Sequence, residues 1–117
     1  MKTDISKDII RGHTNTIVLN ILSQGDNYGY EISKTVKKLS DNQYELNEAT
    51  LYTVFRRLEK NGDISSYWGD ESQGGRRKYY RITEQGKETL ENKIKEWNFA
   101  KVIIDHLIVG RIDDTNE

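Results

Sequence analysis

Residues Asn61 to Ile82 read NGDISSYWGDESQGGRRKYYRI, and the fold of the chain turns on this stretch. Ile64, Ser65, Ser66, Tyr67 and Trp68 are β-prone, Gly69 to Gly75 form a polar, turn-rich tip, and Lys78 to Ile82 are β-prone again. A strand-like period has replaced a helical one, which predicts a β-hairpin with a long loop.

Working back from the hairpin, the spacing predicts a helix from Asn47 to Lys60. Asn47 is its N-cap, Leu51, Val54, Phe55 and Leu58 turn inward, and Asn61 with Gly62 stops it. Ser40 to Gln43 reads as a loop. Tyr28 to Leu39 is an amphipathic helix with Tyr28, Ile32, Val36 and Leu39 on one face. Ile5 to Leu22 reads as one continuous helix capped by Asp4, which Gln24 to Asn27 then end. Working forward, Thr83 caps a last helix that runs to about Gly110, roughly 40 Å at ~1.5 Å per residue, with a frayed tail beyond. Helix, helix, helix, hairpin is the order of a winged helix. The expected fold is mainly α with a small β-hairpin: a winged helix-turn-helix over residues 1–82, and a C-terminal dimerisation helix with its tail over 83–117.

Composition bounds what such a fold can do. With 34% hydrophobic and 32% charged residues in 117, the chain is globular rather than disordered, but its core is small and a partner is expected to cover part of its surface. A net charge of −1 leaves any electrostatic argument to local clusters. The absence of cysteine excludes disulfides, thiolate nucleophiles and cysteine zinc sites. Lys2, Asp4, Lys7 and Asp8 break the N-terminus, so no signal peptide is read, and the apolar runs are too short to cross a bilayer. A cytoplasmic protein with no membrane partner is expected. His13 and His106 are the only histidines, and neither a phosphate loop nor a Ser/His/Asp relay is present, so no catalytic residue, cofactor or metal is expected. Asp105 and His106 are adjacent on a helix, where neighbouring side chains diverge.

The hairpin carries Arg76, Arg77, Lys78, Tyr79, Tyr80 and Arg81 in succession behind Gly74 and Gly75. Glycines allow close approach to a sugar-phosphate backbone, and the cations neutralise phosphates. Alone, the run also fits a solvated hairpin whose charges discourage edge pairing. The third helix adds Asn47, Thr50, Tyr52, Thr53, Arg56 and Arg57, a mixture of base-edge readers and phosphate binders. Helix and hairpin together make double-stranded DNA the expected partner, with these residues and the wing's Gly74, Gly75, Arg76, Arg77 and Lys78 as its contacts.

On the last helix Leu90, Ile94, Trp97, Lys101, Ile104 and Ile108 recur at steps of four and three, the spacing of a two-helix seam. The helix overhangs so small a core that its stripe needs a second chain, with Ile9 of the first helix beside it. Trp97 is open to two readings. It is an interface anchor, or it meets its own copy across a two-fold axis and leaves a flat slot for a planar ligand, with Lys93 and Lys101 a turn to either side.

The run Leu46, Asn47, Glu48, Ala49, Thr50, Leu51, Tyr52, then Arg57, Leu58, Glu59 and the wing's Gly74, Gly75, Arg76, Arg77, Lys78, Tyr79 and Tyr80, resembles the PadR family of regulators, over nearly the whole chain. The short final helix with Trp97 resembles the compact, multidrug-responsive members. The resemblance implies a homodimeric repressor on a palindromic operator near a transporter gene or its own promoter. It further implies that paired Trp97 rings sandwich planar aromatic ligands, with Asn15, Thr16 and Leu19 of the first helix and Ile94 nearby. Two departures bear on the ligand: Lys93 and Lys101 stand where relatives carry small or acidic residues, and Thr16 stands where an apolar one is expected. The two ammonium groups favour neutral or anionic planar aromatics over cationic dyes. The other reading of the same residues is a constitutive or architectural DNA-binding protein with no effector.

Overall fold

The protein is described by a computed structural model covering residues 5–69 and 77–112. The expected Asp4 cap, the wing residues Gly74, Gly75 and Arg76, and the tail beyond Ile112 lie outside the described residues.

The elements run in the order α1 (Lys7–Ile10), a 3-10 turn (Arg11–His13), α2 (Thr14–Ser23), β1 (Asn27–Tyr28), α3 (Gly29–Leu39), α4 (Glu48–Asn61), β2 (Ile64–Trp68), β3 (Lys78–Ile82) and α5 (Glu84–Val109). Local chemistry sets the clearest boundaries. Asn47 Oδ1 accepts from Thr50 N at 2.9 Å at the head of α4, and Gly62 ends that helix in the left-handed region at φ 84°. Thr83 Oγ1 accepts from Gly86 N at 3.0 Å and starts α5.

Two expectations are corrected. The continuous first helix is broken at Arg11–His13, around Gly12, into α1 and α2, and α1 is capped by Ser6 Oγ, which accepts from Asp8 N at 3.1 Å. Glycine is a poor helix interior residue, and the 3-10 turn re-aims α1 across the groove described below. Tyr28 does not belong to the second helix. It pairs with Tyr79, and Asn27 with Tyr80, so that a three-stranded antiparallel sheet forms in the order β1, β3, β2.

The hairpin register sets Ile64 opposite Ile82, Ser66 opposite Tyr80 and Trp68 opposite Lys78, with Gly69 N donating to Arg77 O at 2.7 Å beyond the last pair. Tyr80 and Ile82 therefore face the helices, while Tyr79 and Arg81 face away. The core gathers Val18, Leu19, Ile21 and Leu22 of α2, Ile32 and Val36 of α3, Leu51, Val54, Phe55 and Leu58 of α4, and Leu90 of α5 against the sheet. Phe55 stacks on Tyr80 with ring centroids 3.8 Å apart, which fixes the wing to α4.

Burial, with help from Glu59 and Tyr52, pushes the Tyr80 phenol up from 10.0 to about 12. A raised native pKa holds its contribution below pH 10 and loses it as pH climbs towards 12. Denaturant midpoints across that interval are expected to fall, and to fall less in Tyr80→Phe. An identical alkaline decline in both proteins would contradict the assignment.

The start of α5 is locked to the end of α4. Asp63 is buried, its carboxylate accepts from Thr89 Oγ1 at 2.9 Å and Gln85 Nε2 at 3.0 Å, and its carbonyl accepts from Thr83 N at 3.0 Å. Such partners offset the cost of burying a carboxylate. Beyond Ala100 every described α5 residue is exposed within one chain, and the long dimension reaches 67 Å. The radius of gyration of 17.6 Å exceeds the ~13 Å expected of a compact domain of this length.

Candidate nucleic-acid interface and apolar groove

The outer face of α4 presents Asn47, Glu48, Thr50, Tyr52, Thr53, Arg56, Arg57 and Lys60 to solvent because its inner face is spent on the core. Asn47 caps the helix with its side chain. Thr53 Oγ1 donates to Ala49 O at 3.1 Å, and Arg56 lies above it with Nη2 3.5 Å from that hydroxyl. Tyr52 packs edge-on to Phe55 at 5.8 Å and leaves about half its surface open. Arg57, expected at DNA, also has a partner within the protein: its Nη1 donates to Asn15 Oδ1 of α2 at 2.6 Å, so its guanidinium ties two helices together as well as bordering the outer face.

The wing stands beside α4. Tyr28, Glu48, Tyr52, Trp68, Arg77 and Lys78 border a shared cavity of about 450 Å³. Lys78 Nζ lies 5.8 Å from the Tyr80 ring, and the Arg77 guanidinium sits 4.6 Å above the Tyr28 ring. Glu48 and Tyr52 of the helix thus meet Arg77 and Lys78, at the start of β3, around one cavity, while Arg56, Arg57 and Lys60 are exposed farther along α4.

The basic run is not uniform. Arg81, read in sequence as one more phosphate-seeking cation, pairs with Asp26 of the α2–β1 turn, with Nη2 and Nε each 3.1 Å from Oδ2. Tyr67 of β2 donates to the same oxygen at 2.7 Å. Fifty-five residues separate Asp26 from Arg81, so no local signal announced the pair.

The second feature is an apolar groove of about 750 Å³ between α1, α2, α3 and α5. Of the residues expected around a ligand or a partner chain, Ile9, Thr16, Leu90, Lys93, Ile94 and Trp97 line it. Trp97 keeps 43% of its surface exposed. Asn15, Leu19 and Lys101 are not among the lining residues. Asn15 and Leu19 lie one turn apart on a different face of α2 from Thr16: Asn15 turns to Arg57, and Leu19 is 1% exposed in the core. Lys101 lies over the Trp97 ring, with Nζ 5.8 Å from its centroid. Ile104 and Ile108 lie farther along α5, exposed.

Sequence reasoning missed the other groove neighbours, Tyr44, His13, Asn20 and Glu96 among them. His13 meets Trp97 edge-on at 4.9 Å, Asn20 joins the wall, and Glu96 lines the groove while holding Lys93 at 3.3 Å. Counting three back and four on from Thr16 finds His13 and Asn20, because those positions share its helix face. The exposed apolar surface of α5 is also wider than the seam, since Phe99, Val102, Ile103 and Leu107 flank it.

Among the described residues no group of three His, Cys, Asp or Glu side chains is placed to hold a metal, and no helix is long and apolar enough to cross a membrane.

The family model for the transcriptional regulator PadR-like family matches residues 18–92. The structure of a transcriptional regulator from Clostridium thermocellum is 48% identical and superposes with a TM-score of 0.82, over 89% of this chain and 98% of that one. A PadR family transcription regulator from Clostridium difficile R20291 is 38% identical, with a TM-score of 0.73 over 82% of this chain and 98% of that one. Bacillus subtilis PadR, solved in complex with operator DNA, is 21% identical with a TM-score of 0.63, over 69% of this chain and 46% of that one, a likeness of fold.

Proposed function

This chain belongs to the PadR-like family of transcriptional regulators, and from that premise we propose that it is a homodimeric repressor that binds a palindromic operator and leaves it when a planar aromatic ligand enters the dimer interface. In this reading residues 1–82 read DNA, 83–117 join the copies, and the protein works in the cytoplasm where its operator is. One observation supports the DNA half: Tyr52 of α4 borders one cavity with Arg77 and Lys78 at the start of β3, and Thr50, Thr53, Arg56 and Lys60 are exposed on the same helix. The fold it shares with the operator-bound Bacillus subtilis protein supports the same use of that surface.

The dimer reading is supported by α5. Ile104 is 47% and Ile108 74% exposed on a helix that extends past the core, and a second copy is the economical cover for so long an apolar stripe. The ligand reading is supported by the groove, whose wall joins aliphatic side chains to the rings of Trp97, His13 and Tyr44 and to the polar Thr16, Asn20, Lys93 and Glu96. Glu96 answers the charge of Lys93, and Lys101 stands over the indole outside the groove wall, which favours neutral or anionic planar aromatics over cationic ones.

Lys78→Ala is expected to weaken binding to every duplex and to lower the slope of log affinity against log salt by about 0.9 for each phosphate it ceases to neutralise. Tyr52→Ala is expected instead to alter which duplexes are preferred in selection from a random library. An unchanged salt slope in Lys78→Ala would count against the wing as a phosphate-binding element.

A further inference from the structure

We infer that Asp26 is a positioning and specificity residue of the wing: it clamps both hairpin strands to the α2–β1 turn and withholds the Arg81 cation from the DNA backbone. The inference rests on the wing acting at DNA as proposed above.

The geometry is a three-way junction on one oxygen. Asp26 Oδ2 accepts from Tyr67 Oη of β2 at 2.7 Å and from Arg81 Nε and Nη2 of β3 at 3.1 Å each. The Arg81 guanidinium also lies 4.9 Å over the Tyr67 ring, and Tyr67 stacks on Tyr79 at 5.6 Å, which in turn meets Tyr28 edge-on at 5.3 Å. The sheet face that turns away from the helices is thus a ladder of three tyrosines, held at one end by a single carboxylate. The Tyr67 phenol and Arg81 hold the Asp26 carboxyl below its ordinary value, which favours its charged form.

Two consequences follow from charge and connectivity. A hairpin pinned at both strands holds β2 and β3 at a fixed angle to α4, which rewards duplexes of one groove geometry. A neutralised Arg81 releases no counterion, so sequence-independent affinity stays low relative to specific affinity.

The test compares wild type, Asp26→Asn, Arg81→Gln and the double variant on a random-sequence duplex and on an operator chosen by selection from a random library. Asp26→Asn is expected to steepen the salt slope by up to about 0.9 per chain, to raise random-duplex affinity, and to reduce the ratio of operator to random binding. Arg81→Gln alone is expected to leave the slope unchanged and to abolish the effect of Asp26→Asn. A slope and ratio in Asp26→Asn equal to wild type, or a flatter slope in Arg81→Gln alone, would overturn the inference. A readout without DNA separates this from failure of the proposed function: amide exchange at Gly69 and Tyr79 in the free protein is expected to quicken in Asp26→Asn while α2 and α4 exchange as before. Unchanged hairpin exchange defeats the clamp even if no duplex binds.

Discussion

Alanine in place of Gly86 is expected to destabilise the protein by about 3 kcal/mol or more, near the upper end of overpacking costs. At roughly 4–8 °C per kcal/mol for a chain of this size, that lowers the melting temperature by more than ~10 °C. The reason is steric. A Cβ at Gly86 would lie 2.0 Å from the Asp63 carbonyl oxygen and 2.7 Å from Ile82 Cγ1. Neither neighbour can retreat cheaply, because the carbonyl already accepts from Thr83 N at 3.0 Å and Ile82 is paired with Ile64 in the sheet. The Asp63 carboxylate holds Gln85 and Thr89 on either side of the same turn. The whole junction between the winged helix and α5 must therefore shift. Gly12→Ala is the control: a Cβ there meets nothing within 4 Å, and the melting temperature is expected to move by no more than a degree or two. Equal melting temperatures for the two variants would show that α5 is not seated as described.

Trp97→Ala is expected to weaken binding of a neutral tricyclic dye such as acridone by about 30-fold or more, the fold-change that corresponds to the ~2 kcal/mol of a central aromatic contact. The indole forms one wall of the groove and is itself held by His13 at its edge and by Lys101 over its face. Removing it takes away the largest aromatic face of the groove and leaves the smaller rings of His13 and Tyr44 among aliphatic side chains. The dye's own fluorescence polarisation reads the affinity, since Trp68 remains in the variant. Retained oligomeric state with weakened dye binding separates a slot from an anchor. Retained affinity, or collapse of the dimer with no dye bound by wild type, would favour the constitutive reading.

Much of the scaffold was legible because it is written in local chemistry. Asn47, Gly62 and Thr83 satisfy backbone groups within a few residues of themselves, so their spacing alone placed both ends of α4 and the start of α5. The hairpin was legible for the same reason, from a change of period at Ile64. What escaped depends on partners far along the chain. β1 is two residues long and exists because β3 offers it an edge, which no pattern in Asn27 and Tyr28 reveals. The engagement of Arg57 with Asn15 and of Arg81 with Asp26 is likewise tertiary, and it gives each cation a tie within the protein. At the groove, helical phase decided the outcome. Thr16 and Asn20 of α2, with His13 just before it, line the groove, whereas Asn15 and Leu19 lie on other faces of that helix.

The central claim is that two chains, joined along α5, set two copies of α4 and its wing on one duplex. Native mass spectrometry of the full chain with a library-selected palindromic duplex at low salt tests it most directly. Two chains per duplex are expected, with the free protein dimeric and with Ile104→Glu reducing both states to single chains. A free protein that is monomeric at micromolar concentration, or a duplex that carries one chain or none, would contradict the account.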